Sequence, residues 1–150
     1  TAVTNLPPAK TVADELVFKQ LKELGLPPSD LCDDATFVRR ATVDICGRLP
    51  TKEEADAFVA DKSADKVEKL IDRLLASPDY ADFAANKWSA LLRNRRNAPN
   101  EDGKPNVAFH AWIRDSFKEN KPFDAFVREL LTASGPVHEN PRAVWYRELK

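Results

Sequence analysis

The stretch "FVRRATVDICGRLPTKEEADAFV", Phe37 to Val59, decides the fold that the sequence predicts. It begins as an apolar run with helical spacing, and Gly47 stands where such a helix would end. Thr51 then begins another helix, because Glu54 occupies the capping-box position three residues later. The stretch therefore predicts two short helices, the first from about residue 34 to residue 46, joined by a Gly-Arg-Leu-Pro turn.

Short helices are also predicted along the rest of the chain. Capping residues, apolar spacing and stop residues place them near residues 11–24, 63–75, 79–92, 107–120 and 122–131. No segment alternates with a period of two over the length of a strand. The predicted class is all-α, an irregular orthogonal bundle of about six to seven short helices.

The predicted faces of two helices are testable in detail. In the fourth helix, one apolar face is formed by Val67, Leu70, Ile71, Leu74 and Leu75. In the fifth helix, one face is formed by Tyr80, Ala84, Trp88, Leu91 and Leu92, and Phe83 lies off it.

The chain of 150 residues has the length of one ordinary domain. Residues 1–10 read as an arm or linker, 11–135 as the helical domain and 136–150 as a tail. The tail carries Trp145 and Tyr146, so it either leads to further domains from which this chain was cut or packs back on the bundle. Residues 94–106 are rich in Asn, Pro and Gly and predict a long exposed loop.

Composition excludes several classes of function. The net charge is -1, which does not favour binding to nucleic acid or to an anionic membrane. No run approaches the roughly 18 apolar residues of a membrane-spanning helix. The four glycines lie at helix ends or in the long loop, so no glycine-rich phosphate cradle is predicted.

The two cysteines, Cys32 and Cys46, are predicted to be free, buried and structural. A helix over residues 34–45 would place them about 18 Å apart, far beyond the reach of a disulfide. Neither cysteine belongs to a metal-binding spacing, so no metal site is predicted.

The charged cluster Arg39, Arg40 and Asp44 is the first candidate site. At about 100° per residue, Arg40 and Asp44 are neighbours on the border of the apolar face, whereas Arg39 points nearly opposite. One interpretation is a structural ion-pair network with Arg40 paired to Asp44; the other is a ligand or partner site. Charged groups on other helices that would complete either arrangement are Asp72, Arg73 and Asp115.

A local basic patch is the second candidate, with Arg93, Arg95 and Arg96 at the start of the long loop. Such a patch binds phosphate or an acidic polysaccharide, or it is a solvated helix end. His110 reads as a structural histidine, with a metal or haem ligand as the other interpretation. No complete catalytic constellation appears, so no catalytic residue is assigned and enzymatic activity is left open.

Two segments carry a family resemblance, "FVRRATVDICGRLPTKEEADAFVADKSADKVEKLIDRLLASPDYADFAANKW" and "AWIRDSFKENKPFDAFVRELLTASG". Together they resemble the planctomycete cytochrome-associated domain of unknown function, the fifteen forty-nine family. The matching residues are Arg39, Arg40, Asp44, Gly47, Leu49, Pro50, Thr51, Ile71, Asp72, Arg73, Leu74, Leu75, Ser77, Pro78, Tyr80, Trp88, Asn120, Lys121, Pro122, Phe123, Asp124, Phe126, Val127 and Arg128.

The resemblance implies the N-terminal part of a larger exported bacterial protein, periplasmic or at the cell surface, associated with a c-type cytochrome module. It implies that any haem is bound outside residues 1–150, and it brings no catalytic residues. The leading hypothesis is a non-catalytic accessory or interaction module that packs on the rest of its polypeptide or on an exported partner. The alternative is an enzyme or glycan-binding site built from Arg39, Arg40, Asp44 and the loop 93–106. Cys46 and the stretch after Trp88 depart from the family's usual pattern.

Overall fold

The computed structural model describes residues 6–94 and 104–147, and these residues form helices and no strand. The all-α prediction is therefore confirmed. The chain divides into two compact units, with the boundary between Asp33 and Asp34. The helices are α1 (Val12–Leu24), α2 (Asp34–Cys46), α3 (Lys52–Ala60), α4 (Lys66–Leu75), α5 (Pro78–Leu91), α6 (Lys104–Lys118), α7 (Phe123–Leu131), a 3-10 turn (Pro141–Ala143) and α8 (Val144–Arg147).

The first unit contains α1, whose two ends follow the sequence signals. The hydroxyl of Thr11 accepts a hydrogen bond from the backbone of Asp14, whose carboxylate accepts one from the backbone of Thr11. Gly25 ends the helix with φ 67°, a conformation that glycine adopts without strain. No residue of α1 is buried, and several of its apolar side chains are exposed.

The second unit begins with α2, and the turn from α2 to α3 confirms the prediction from the opening stretch. The Thr51 hydroxyl accepts a hydrogen bond of 3.2 Å from the Glu54 backbone, and the Glu54 carboxylate accepts one of 2.8 Å from the Thr51 backbone. Gly47 has φ 69°, and a Cβ atom there would lie 2.2 Å from the ring of Phe83. Glycine is therefore required at residue 47 both for backbone conformation and for space.

Two hydrophobic clusters form the core of the second unit. The first joins α2, α3 and α4 through Val38, Cys46, Phe58, Leu70 and Leu74. The second joins α5, α6, α7 and the tail through Ala85, Phe109, Ile113, Phe126, Leu130 and Val144.

The apolar faces of α4 and α5 differ from the sequence prediction. In α4, only Leu70 and Leu74 are buried, while Val67 and Leu75 are 40% and 46% exposed. In α5, the buried residues are alanines rather than the predicted stripe, and Leu91 is 72% exposed. The small side chain of an alanine lets a neighbouring helix approach closely, which a count of large apolar residues does not anticipate.

The predicted loop 94–106 lies mostly outside the described residues. Helix α6 begins at Lys104, three residues before the predicted start at Val107. The Asn94 side chain donates a hydrogen bond of 2.9 Å to the Asn106 carbonyl, and the Asn106 side chain donates one of 3.0 Å to the Asn94 side chain. These two bonds join the residues on either side of segment 95–103.

The tail packs back on the bundle over residues 141–146. Val144 is fully buried in the second cluster, and Trp145 packs against that cluster. The Tyr146 hydroxyl donates a hydrogen bond to the Leu131 carbonyl at the end of α7. Of the two sequence-based alternatives, packing on the bundle therefore describes these residues.

Both cysteines are free, as predicted, but their burial differs. Cys46 is buried, and this burial raises the pKa of its thiol. The prediction that Cys32 is buried was wrong, since it is exposed in the segment before α2 and no helix places it in a core. Throughout the two described ranges, every helix is too short or too polar to cross a membrane.

Candidate functional site

The predicted cluster on α2 is exposed. Arg39, Arg40 and Asp44 all lie on the surface. The ion pair predicted between Arg40 and Asp44 is absent, because no ion pair within 4.0 Å includes either residue, and both residues are described. Both side chains remain in water, where a pair at this spacing gains little.

The remaining predicted site residues are also surface groups or lie outside the described ranges. Asp72 and Arg73 are exposed on α4, and Arg93 is exposed just after α5 with φ 54°. Asp115, a predicted partner, pairs instead with Arg114 at 2.9 Å. Arg95 and Arg96 fall outside the described residues. The ligand-site hypothesis for these residues therefore stays a prediction.

Sequence reasoning missed the charged residue that organises this end of the bundle, Arg48. Its guanidinium donates hydrogen bonds of 2.8 and 3.0 Å to the two carboxylate oxygens of Glu54. Its Nε donates a third, of 2.6 Å, to Asp79 at the start of α5. Arg48 thus connects the end of α2 to the beginnings of α3 and α5. From the sequence alone, the Gly-Arg-Leu-Pro segment predicts only a turn between two helices.

The same contacts explain the most perturbed carboxylate at this end. Hydrogen bonding from Arg48, and next from the Thr51 backbone, lowers the pKa of Glu54 to about 2. Glu54 therefore closes a capping box and binds a cation at once, which is a structural role.

An aromatic cavity of about 440 Å³ lies where α5 meets the turn between α6 and α7. None of the predicted site residues lines it. Its walls are formed by one side chain of α5, two of α6, three of the turn and two of α7: Tyr80, Ser116, Phe117, Asn120, Lys121, Pro122, Phe123 and Phe126.

Aromatic packing holds the rings of this cavity in place. Behind the wall, the ring of Trp88 lies 5.8 Å from Phe117, 5.7 Å from Phe123 and 5.6 Å from Phe126, measured between centroids. On the other side, Trp112 stacks on Phe126 at 4.7 Å. Rings that contact one another in offset and edge-to-face arrangements stabilise the wall beyond the burial of their area.

The turn at the mouth of the cavity has a backbone conformation that few residues adopt. Asn120 follows α6 with φ 48°, a left-handed conformation in which asparagine is common. The backbone N–H of Lys121 donates a hydrogen bond of 2.9 Å to the Ser116 carbonyl, which closes the end of α6. Pro122 then precedes the first residue of α7.

A charged group fixes the position of this turn. The Lys121 ammonium lies 2.9 Å from the Glu129 carboxylate and 5.4 Å from the centre of the Trp112 ring. The same carboxylate accepts hydrogen bonds from the Trp112 indole and from Arg142 of the tail, each of 3.2 Å. The hydrogen bond from Lys121 is the main cause that lowers the pKa of Glu129.

A second apolar surface begins at the edge of the cavity. It is the outward face of α7, called here the α7 stripe: Phe123, Val127 and Leu131. Phe123 and Leu131 are 63% and 55% exposed, and Val127 is half-buried. A shallow groove of about 450 Å³ runs along this face. Phe123 belongs to both surfaces, so the cavity and the stripe are continuous.

The sequence did contain a signal for this site. The segment "NKPFDAF", residues 120–126, is part of the second family match and supplies five residues of the cavity wall. Along the sequence, this segment indicates the family and an apolar helix face, but it does not indicate a cavity.

The described part of the chain contains no cluster of side chains arranged as metal ligands. No group of three or more His, Cys, Asp or Glu side chains there is placed to hold a metal ion. A ring nitrogen of His110 lies 3.0 Å from the Asn86 side-chain oxygen on the neighbouring helix α5. This contact joins α6 to α5, and the role of His110 stays a prediction.

Comparison with protein families identifies the family of this chain. The family model described as PSCyt2, Protein of unknown function (DUF1549), matches residues 12–148. No curated protein and no solved structure matches the chain.

Proposed function

We propose that this chain, which belongs to the PSCyt2 family of proteins of unknown function (DUF1549), is a non-catalytic helical interaction module of a larger exported protein. The exposed α7 stripe is the observation that carries the proposal.

Helix α7 has apolar residues on two faces. Phe126 and Leu130 are each 4% exposed and pack in the core, while Phe123 and Leu131 are 63% and 55% exposed. A helix on the surface of a domain usually has one apolar face and one polar face. A contiguous apolar face left in water is typical of a surface that contacts another polypeptide.

The charged groups of the second unit support an accessory role. Glu54 and Glu129 both have lowered pKa values, and both accept hydrogen bonds from cations that connect separate helices. Structural ion pairs perturb carboxylates as catalytic sites do. Here such pairs account for both.

The cellular context of the proposal follows from the family resemblance. Its elements are export to the periplasm or cell surface, association with a c-type cytochrome module and haem bound outside residues 1–150. The partner of the α7 stripe is then the remainder of the same polypeptide or another exported protein.

Hydroxyl-radical footprinting tests the interaction surface. The isolated chain 1–150 is compared with the longer gene product purified from its host, and oxidation of each side chain is measured by mass spectrometry. We expect oxidation of Phe123 and Leu131 to fall severalfold in the longer protein, because a partner covers them. Leu49 and Val67, which are 64% and 40% exposed, serve as controls on other elements. Equal oxidation of the α7 stripe in both samples would contradict the proposal.

The visible absorption spectrum of the same host-purified protein tests the haem context. A Soret band in the longer product, with none in the chain 1–150, is the expected result. A longer product without haem absorption would contradict the proposed cytochrome association. The proposed interaction surface would then be tested by footprinting alone.

A further inference from the structure

We propose that the aromatic cavity between α5, α6 and α7 binds a small, free, planar aromatic compound that carries a neutral hydrogen-bonding group. This site is separate in kind from the α7 stripe, because it is a concave pocket for a small molecule and not a surface for a polypeptide.

The walls of the cavity suit a flat ring. Phe123 and Phe126 lie nearly parallel, with 14° between their planes, whereas Tyr80 stands at 88° to Phe117. The cavity therefore offers ring faces as well as ring edges. An aromatic guest gains from both stacked and edge-to-face contacts, which an aliphatic guest of equal size does not.

Two polar groups on the wall have no partner among the residues that the structure describes. They are the hydroxyl of Tyr80 and the side-chain amide of Asn120, and either can donate or accept a hydrogen bond. The other polar wall groups are already engaged, since Ser116 donates to the Trp112 carbonyl at 2.8 Å and Lys121 pairs with Glu129. The two unpartnered groups thus favour a neutral hydrogen-bonding substituent.

Size and access agree with a ligand of one or two rings. A volume of about 440 Å³ falls within the roughly 300–1,000 Å³ of small-molecule pockets. Asn120, Pro122 and Phe123 are exposed where the cavity opens, so a compound can enter without unfolding of the core.

The ring packing also makes the cavity preformed. Trp88 supports three of the wall rings from behind, and Lys121 holds the turn through Glu129. A wall that is already ordered loses little conformational entropy when a ligand binds.

Titration with indole, followed by amide chemical shifts of the chain 1–150, tests the proposal. Indole has two fused rings and one N–H donor. We expect saturable shifts centred on Phe117, Asn120 and Phe123, with a Kd below about 1 mM for a ligand of this size. Shifts that do not saturate, or that spread evenly over the surface, would overturn the proposal.

Three further probes separate the features of the ligand. Cyclohexanol should bind at least about fivefold more weakly than indole, because it cannot stack. 1-Methylindole, which lacks the donor, should bind about threefold more weakly. N-acetyltryptophanamide carries the same ring on a peptide backbone, and tighter binding of this probe than of indole would overturn the free-ligand assignment in favour of a polypeptide side chain. Equal binding of cyclohexanol and indole would overturn the aromatic class.

Two variants locate the site. Phe123→Ala should weaken indole binding by about tenfold through loss of one ring. Its control, Leu131→Ala, removes a similarly exposed side chain of α7 outside the cavity and should leave the Kd unchanged.

Tyr80→Phe should weaken indole binding by about threefold and leave the binding of 1-methylindole unaffected. The assignment fails if Leu131→Ala weakens binding as much as Phe123→Ala, or if Tyr80→Phe changes both probes alike. Because Leu131 belongs only to the α7 stripe, the site and the proposed interaction surface can fail independently.

Discussion

The two ends of the second unit are held together by different interactions. Around α2, α3 and α4 the core is mostly aliphatic, and Arg48 closes it through Glu54 and Asp79. Around α5, α6 and α7 the core also contains aliphatic side chains, but aromatic rings in mutual contact pack within it and against it, and we call this the aromatic end. Each end has a charged connection, made by Arg48 at the aliphatic end and by Glu129 at the aromatic end. The aromatic end also has a cavity and an exposed apolar face.

This difference indicates which end of the second unit depends on close packing and which end offers a surface for binding. Aliphatic side chains interdigitate at high density and leave little space between helices. At the aromatic end, a cavity remains beside the turn that contains Asn120 and Pro122. The aliphatic end is therefore expected to be sensitive to packing and pairing changes, and the aromatic end is expected to tolerate changes at its surface.

The largest effect is predicted at Gly47, where the two ends meet. Gly47→Ala should destabilise the chain by about 3–4 kcal/mol, because a left-handed backbone and a close contact with Phe83 coincide there. Gly135→Ala is the matched control, with φ 92° but no atom within 4 Å of the added Cβ. It should cost only about 1–2 kcal/mol of backbone strain. Urea denaturation measures the free energy of unfolding of both variants. Equal losses of stability would mean that contact with Phe83 has no effect.

Leu130 and Leu131 are adjacent on α7, so truncating each of them compares the buried face of this helix with its exposed face. Leu130→Ala should destabilise by about 3 kcal/mol, since a core leucine leaves a cavity when it is truncated. Leu131→Ala should change stability by less than about 0.5 kcal/mol, because its side chain is 55% exposed. The midpoint of urea unfolding measures the difference. A large loss for Leu131→Ala in the isolated chain would show that the α7 stripe is part of the core.

The charged connection at the aliphatic end is tested with Arg48→Met. Arg48 and Glu54 side chains are 35% and 25% exposed, so solvent screening limits the loss to about 1–2 kcal/mol at pH 7. Lys52→Met, which removes a fully exposed pair with Asp56, is the control and should have little effect. Chemical denaturation of both variants checks the contrast. Equal stability of the two would show that Arg48 contributes no more than a surface pair.

The smallest effect is the pH dependence that Glu54 confers. Its pKa is lowered to about 2 in the folded chain, so its contribution is fully present above the ordinary pKa near 4.5 and is lost as the pH falls towards 2. After discounting for exposure, this loss amounts to about 1 kcal/mol. Arg48→Met should lose less stability over the same pH range, because the main cause of the lowered pKa is gone. Urea unfolding at pH 5 and pH 2.5 measures the difference, and parallel curves for wild type and variant would contradict it.

Local signals in the sequence determined much of the fold. Thr11 with Asp14, Thr51 with Glu54, and the glycines at 25 and 47 set helix ends correctly, because caps act through atoms within a few residues. The end of α2 at Cys46 follows from Gly47. Buried faces were harder, since Ala81 and Ala85 enter the core in place of larger neighbours whose burial depends on the helix packed against them.

The candidate sites show the same difference between local signals and contacts that are distant in the chain. The sequence pointed to Arg39, Arg40 and Asp44 because charges inside an apolar run stand out, but these groups lie exposed on α2. Arg48 and the aromatic cavity were missed, because their partners are distant in the chain. Asp79 lies 31 residues from Arg48. Tyr80 likewise reaches the wall of the cavity from a helix remote in sequence from Phe117 and Phe123.

The sequence by itself thus determined the helical class, the helix ends at which a capping residue or glycine acts, the free cysteines and the family. Each depends on interactions within a few residues or on a pattern read directly along the chain. Tertiary structure alone decided which face of each helix is buried, that Arg48 connects three helices, and that the rings of α5, α6 and α7 enclose a cavity. These features depend on side chains brought together over long stretches of chain, and their positions follow from how the helices pack.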